Sequence, residues 1–533
     1  MKLRPEHIAL ALVVLAAFFY LNLDGLPLTH PGNIKAADPF YHTAATENIL
    51  DTNQWLYYPA WVGFGRTNVP NVQPPLLYMQ AAALSSWSGL PSWTTVYFIV
   101  GLFAALGVGM AFFLVQRVFN HQVALLAAFA LVLPLRPFAW LYGIYIGLWI
   151  QVVSFMAVIG FVWMAVAYWQ DKQRWQLWIA NCAITIIMLV HPQDLIAVFP
   201  LWLALAWKAW KNPERIKNIL ALISISAIAF TVLLPHWIWV WGGRSSNLAP
   251  GWYTTQESAF GTGYSGGLVL PEPTFFPWYV LFFGIFGFCL MLPRWKKNLP
   301  WIIGIAAMLF ISYVTPFVLK DPYYLLRLRA LFPYIILPAA AFAIVALLSM
   351  FRLHDVLRWI AVFIVGVLAL ITGYVQYREL PAQLSGEHLP LERWNSYLWL
   401  QSNTAMNSTL FMLEGTSQAN PTMTKRITAQ VDIQELARKA QLYAINQTLD
   451  QFWTVEWNAA TLRDAHIQRT GLFSFSTYPE GPSKVDINDF DYVYFENLNE
   501  GIAQFNAVIA QRLLNQSYRA VYQQGSIFIL RRQ

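Results

Sequence analysis

Charge is what this sequence has least of. Of its 533 residues only 11% are Asp, Glu, Lys or Arg, while 57% are hydrophobic. That balance excludes an ordinary soluble globular chain and points to a polytopic membrane protein. Cysteine is nearly absent: Cys182 and Cys289 both sit inside apolar runs, so neither a disulfide framework nor a thiolate metal site is available. Any metal would have to take carboxylate or imidazole ligands. There is no Walker loop, no His-Glu-x-x-His and no internal repeat, so nucleotide hydrolysis is not suggested. The stretch GTGYSGG at 261–267 matches two glycine motifs by letter. It lacks the strand before and the helix after that those motifs need, and reads as a flexible outer loop. The formal charge of +7 does not imply a nucleic-acid partner, because the basic residues fall in short clusters between apolar runs, as orientation signals do.

What the chain does have is about eleven apolar runs, at 8–23, 94–116, 121–135, 146–168, 175–190, 193–210, 216–240, 275–293, 299–319, 325–350 and 356–376. Several approach the roughly 20 residues that cross a bilayer core. The first run follows a basic start, MKLRPEH, with no small-residue cleavage site after it, and is read as a retained anchor. With the N-terminus cytoplasmic, fourteen Lys and Arg fall on inner loops and seven on the outer segments of the membrane region, as the positive-inside rule requires. This count treats 76–90, LLYMQAAALSSWSGL, as an amphipathic helix on the outer face; a crossing there would move every later loop to the other side. The reading therefore places outside a loop at 24–93 with surface helices, a loop at 136–145, a loop at 242–274, and everything after about 376. Residues 1–376 form the transmembrane domain, and 377–533, where polar residues return, an extracytoplasmic α/β domain. Its strands are expected at 408–413, 490–496 and in a closing hairpin around Gln523, Gln524 and Gly525, and its helices at 391–402, 431–443 and 499–515.

The first outer loop carries ADPFYHTAATENIL. Asp38 before Pro39 is a helix start by local pattern, with a carboxylate at the N-cap and proline at the first helical position. The same carboxylate, outside and next to the membrane, is placed to act as a base or polarising group there. Arg327 or Arg329, at the outer end of a span, would face a leaving phosphate, which a guanidinium matches in a bidentate way; as a plain alternative they are interface anchors that snorkel. His191, in LVHPQD at another outer end, would hydrogen-bond a diphosphate or help hold a metal, and Asp194 is three residues on, on the same face if helical. His42 is open to a binding role or to packing among Tyr41, Tyr57 and Tyr58, and Glu47 reads as a solvated helix face.

ADPFYHTAATENIL, then WLYYPAWVGFG and VQPPLLYMQAAAL, resemble in order and spacing the first outer loop of the catalytic subunit of oligosaccharyltransferases. HQVALLAAFALVLPLRPFAWLYGIYIG, LRLRALFPYIILPAAAFAIVAL and YLWLQSNTAMNSTLFMLEG resemble later parts of the same subunit. The wider grouping is the C-type (GT-C) integral membrane glycosyltransferases. The resemblance implies a membrane enzyme that takes sugar from a polyprenyl-phosphate or polyprenyl-diphosphate donor in the lipid and passes it to an extracytoplasmic acceptor. It implies Asp38 as the key carboxylate and a ligand for a divalent metal, Mg or Mn, with Glu272 as the acidic residue of the large late loop. Two family elements are missing. The acidic pair of the second outer loop is replaced by YGIYIGLWIQ, with Ile146 and Trp149 near its positions, and the Trp-Trp-Asp-Tyr-Gly acceptor motif by LEGTSQ. The absences leave open a non-catalytic subunit that binds or assembles lipid-linked glycans on the same scaffold.

Overall fold

The computed structural model describes residues 5–22, 37–56, 74–132, 149–245, 278–294, 299–313, 331–351, 355–383, 389–405, 408–414, 427–432, 456–457, 483–484, 488 and 490–533. Glu272, Arg327, Arg329, the second outer loop and the stretch at 261–267 lie outside them.

The membrane part begins with α1 (Pro5–Asn22), α2 (Ala37–Thr52) and α3 (Leu76–Ser88). At 13 residues, α3 is about 20 Å long, too short to cross. It ends where Gly89 takes the left-handed conformation (φ +71°), which a Cβ would oppose. Then come α4 (Ser92–Val118), α5 (His121–Leu131), α6 (Trp149–Asp171), α7 (Arg174–Val190), a 3-10 turn (Pro192–Asp194), α8 (Leu195–Trp210), α9 (Arg215–Ser245), α10 (Trp278–Met291), α11 (Leu299–Tyr313), α12 (Pro333–Met350) and α13 (Asp355–Gln383). Among the described residues four segments are long and apolar enough to cross a membrane: Ser92–Val118, Trp149–Asp171, Arg215–Ile238 and Pro333–Met350. Helix α13 runs on to Gln383, past the expected domain boundary at 376.

Packing fixes which ends meet. α4 and α6 run parallel: Tyr97 meets Trp149 at one end (ring centroids 5.9 Å) and Arg117 pairs with Asp171 at the other. Among the described spans α6 is the most enclosed, with Trp149, Phe161 and Tyr168 fully buried, which is why its apolar residues run all round rather than along one stripe. α7 lies against α9, where Asn181 donates to the Ala221 carbonyl (3.2 Å) and accepts from the Ser226 amide (3.0 Å). α10 lies so close on α12 that a Cβ at Gly287 would run into the Ala339 carbonyl.

Beyond α13 stand α14 (Leu391–Asn403), β1 (Thr409–Glu414), β2 (Ile427–Asp432), the short pair β3 (Glu456–Trp457) and β4 (Ser483–Lys484), β5 (Tyr492–Glu496), α15 (Glu500–Leu514), β6 (Tyr518–Gln524) and β7 (Ile527–Arg532). The main sheet has the order β2-β1-β5-β7-β6. β1 is parallel to β2 and to β5, and β7 is antiparallel to β5 and β6. All of β5 is buried, and strand alternation divides it. Tyr492 and Tyr494 face the α14 side, while Val493 and Phe495 join Ile502, Phe505, Ile509 and Leu513 of α15. Residues 431 and 432, expected to open a helix, instead pair in β2, each opposite the end of β1. β-branched Ile427, Thr428 and Val431 suit that edge position. Arg393 of α14 forms a buried bidentate pair with Glu496 of β5 (2.7 and 2.6 Å). Trp93, at the start of α4, meets Trp394 (5.2 Å), which seats the sheet domain at the same end of the bundle as α2 and α3.

Candidate functional site

That end gathers several buried polar groups. Asp38 falls in the first turn of α2; its side chain is outside the described set. His42, one turn on, is 2% exposed. Its Nδ1 is 3.0 Å from the Tyr78 hydroxyl, and its ring lies nearly parallel to those of Tyr78 (5.8 Å) and Trp149 (5.7 Å). These partners come from α3 and α6; Tyr57, Tyr58 and the side chain of Tyr41 lie outside the described residues. Trp149, standing near a position where the resembled family carries an acid, closes over the imidazole. Glu47 is not a solvated face: it accepts a hydrogen bond from the Ser92 hydroxyl, tying α2 to the start of α4. α2 is polar and buried on one side, through Thr43, Thr46 and Asn48, and a helix of that kind holds its place by satisfied bonds such as Thr46 Oγ1 to the His42 carbonyl (3.0 Å).

His191 and Asp194 close α7 and form the 3-10 turn. They are 6% and 1% exposed, with Nδ1 3.0 Å from Oδ2. The contact lacks hydrogen-bond geometry, and Nδ1 and both Asp194 oxygens have no hydrogen-bond partner among the described residues. The turn packs on α6, whose first turns carry two more buried oxygens without a partner, Gln151 Oε1 and Ser154 Oγ. On α9, His236 is 5% exposed with neither ring nitrogen bonded, and Trp55, just after α2, stands edge-on to it at 4.9 Å. Sequence reading missed Gln151, Ser154 and His236. The available signal was a polar residue inside an apolar run, which in a membrane calls for a partner or a function.

The structure thus brings His42 and His191 to one end together with the helix that carries Asp38. Among the described residues no three His, Cys, Asp or Glu side chains converge, and around His42 the neighbours are aromatic. The described groups beside α2 do not by themselves form a metal site.

The opposite end is cationic and aromatic. Arg174 pairs with Glu214 and, first by that hydrogen bond, holds the Glu214 carboxyl below its usual range. Lys208 lies over Trp169 (4.7 Å), Lys211 over Trp207 (4.4 Å) and Arg215 over Trp210 (5.2 Å). A belt of this kind belongs at a membrane–water interface.

No protein-family model and no curated protein matches this chain. Solved structures do. The archaeal oligosaccharyltransferase AglB from Archaeoglobus fulgidus, in complex with an inhibitory peptide and a dolichol-phosphate, is 13% identical, with 99% of this chain and 74% of that one covered and a TM-score of 0.54. ArnT from Cupriavidus metallidurans, bound to undecaprenyl phosphate, is 12% identical, with 98% and 97% covered and a TM-score of 0.53. A further structure of the Archaeoglobus fulgidus enzyme, in complex with Zn and sulfate, is 14% identical, with 98% and 72% covered and a TM-score of 0.53. Identity this low speaks for the fold alone, and the fold of this chain is that of the C-type membrane glycosyltransferases its sequence resembles.

Proposed function

We propose that this protein is an integral membrane glycosyltransferase that takes a sugar or oligosaccharide from a polyprenyl-phosphate or polyprenyl-diphosphate donor to an extracytoplasmic acceptor, a protein or a surface glycan or lipid. One observation carries the reading: nearly the whole chain follows the fold of two proteins whose structures hold dolichol-phosphate and undecaprenyl phosphate. The helix bearing Asp38 lies at the end of the bundle where the C-terminal sheet is seated. The opposite end bears the cationic belt, which favours the cytoplasmic side for that end and the extracytoplasmic side for Asp38.

In the proposed reaction the acceptor oxygen or nitrogen forms a bond to the anomeric carbon as the bond from that carbon to the phosphate oxygen breaks. Asp38 takes the acceptor proton, and the electron pair leaves on the phosphate. Arg327, Arg329 and His191 face that phosphate, and Glu272 joins Asp38 from the late loop. Fixed positive groups aimed at developing phosphate charge are the largest contribution a site of this kind makes. About eleven helices cross the membrane on this reading, and 377–533 lie outside it. A divalent metal, Mg or Mn, held by Asp38 would show as a dependence of release on added metal.

The aromatic cover over His42 by Trp149, where an acid is expected, supports a second reading: a subunit that binds lipid-linked glycan without turning it over. Reconstituted membranes separate the two. With a pool of lipid-linked sugars and a broad acceptor mixture, release of polyprenyl phosphate or diphosphate supports the transferase. Donor binding with no release above background supports the binding subunit.

A further inference from the structure

The cations at the end of the bundle away from Asp38 fall into two sets. Arg117 pairs with Asp171, Arg174 and Lys217 with Glu214, and Arg358 with Asp355. Lys208, Lys211 and Arg215 make no ion pair among the described residues and lie over tryptophan rings instead. The sequence holds little to neutralise them. Against the fourteen Lys and Arg of the loops read as cytoplasmic stand four acids, Glu6, Asp171, Glu214 and Asp355, and the last three are taken by the pairs just named. A ring face attracts a cation without cancelling its charge, and leaves donors free on the side away from the ring. Lys211 and Arg215 sit over Trp207 and Trp210, two rings one helical turn apart, so their free donors belong to one patch.

The helix leading to that patch has a face with no protein partner among the described residues. Phe199, Leu203, Trp207 and Trp210 recur every three or four residues along α8, and each is about half exposed. From Phe199 to Trp210 the helix rises about 16 Å, close to the ~15 Å depth of hydrocarbon in one leaflet. An exposed apolar strip of leaflet depth that ends in uncompensated positive charge has the outline and the charge of a lipid with an anionic head.

We infer that the junction of α8 and α9 binds one anionic glycerophospholipid, its phosphodiester held by Lys211 and Arg215 and an acyl chain laid along Phe199, Leu203 and Trp207. Arg215 offers the phosphate two parallel N–H donors and Lys211 a point charge; Lys208, one turn back, adds to the field. The rings under Lys211 and Arg215 hold both side chains at the depth of the headgroup, which lessens the ordering cost of binding. A polyprenyl phosphate shares this chemistry, but the proposed transfer uses that carrier at the other end of the bundle. The inference concerns binding away from Asp38, so it stands or falls independently of glycosyl transfer.

The full chain, delipidated in detergent, is offered equal amounts of phosphatidylglycerol and phosphatidylethanolamine, and the lipid each molecule retains is counted by native mass spectrometry. Expected is one phosphatidylglycerol per chain, preferred at least tenfold. The double variant Lys211→Gln/Arg215→Gln should lower that preference fivefold or more, while Lys172→Gln/Lys217→Gln, with the same change of charge at the same end, keeps it. Trp210→Leu, which keeps every charge and removes the ring under Arg215, should lower it about threefold. Equal retention of the two lipids by wild type overturns the inference, as does a preference that survives both the Lys211/Arg215 double and Trp210→Leu. Equal losses in the two doubles would mark the net charge of that end rather than a site, and also overturn it. So does displacement of the retained lipid by inorganic phosphate or by undecaprenyl phosphate at the same concentration, which would make the site one for a free anion or for the carrier.

Discussion

At His42 three helices are held by one side chain. The imidazole meets the Tyr78 hydroxyl at Nδ1 and lies nearly parallel to the rings of Tyr78 and Trp149, so its packing helps set where α2, and with it Asp38, rests against α3 and α6. A second such residue is Glu496, which shares both carboxylate oxygens with Arg393 in the interior of the sheet domain. Removing one partner of a buried pair leaves the other charge stranded. Glu496→Gln is expected to lower stability by about 3–5 kcal/mol, read as a lower thermal midpoint. An unchanged midpoint would mean that the guanidinium finds water or another acceptor.

At the scale of elements, helix approach decides more than helix length. Gly287 lets α10 lie on the backbone of α12, and Gly287→Leu should force them apart at a cost of about 1–3 kcal/mol; a thermal midpoint equal to wild type would show that the contact is not held in the membrane. On the opposite face of the bundle Arg174 joins α7 to the start of α9 through Glu214. Because the Glu214 carboxyl is held below its ordinary value of 4.5, its contribution is present above that pH and is lost as pH falls through the lowered value. The difference in melting between wild type and Glu214→Gln should therefore be visible at neutral pH and close on acidification.

Elements with a strong period were legible in the sequence. Apolar runs gave the helices, the aromatic-rich run FDYVYFE gave β5, and Gly525, at φ +55°, gave the turn of the closing hairpin. Contacts across the chain were not. Nothing local in ADPFYH tells that His42 will meet Tyr78 and Trp149, separated from it by 36 and 107 positions. The strand at 427–432 was hidden because its partner, β1, is what makes it a strand. Of the candidate residues, Asp38, His42 and His191 stand out in the sequence by their polarity beside apolar runs, whereas Gln151, Ser154 and His236 look like ordinary interior polar residues until their bonding is seen.

For the whole molecule, the two ends of the bundle differ in kind. One holds α2, α3, the His191 turn and the sheet domain; the other holds the Lys and Arg side chains set over tryptophans. If the positive-inside rule applies, a cysteine in place of exposed Trp87 in a variant lacking Cys182 and Cys289 is labelled by an impermeant maleimide from outside intact cells, and one in place of Lys211 is not. The reverse pattern would invert the topology and put Asp38 on the cytoplasmic side. The most direct test of the central claim is release of polyprenyl phosphate or diphosphate from lipid-linked sugars in reconstituted membranes, comparing wild type with Asp38→Asn with and without divalent metal. The account predicts a loss of roughly 10²–10⁴-fold in release with donor binding retained; equal release by the two proteins would contradict it and leave Asp38 as a first-turn carboxylate that steadies α2.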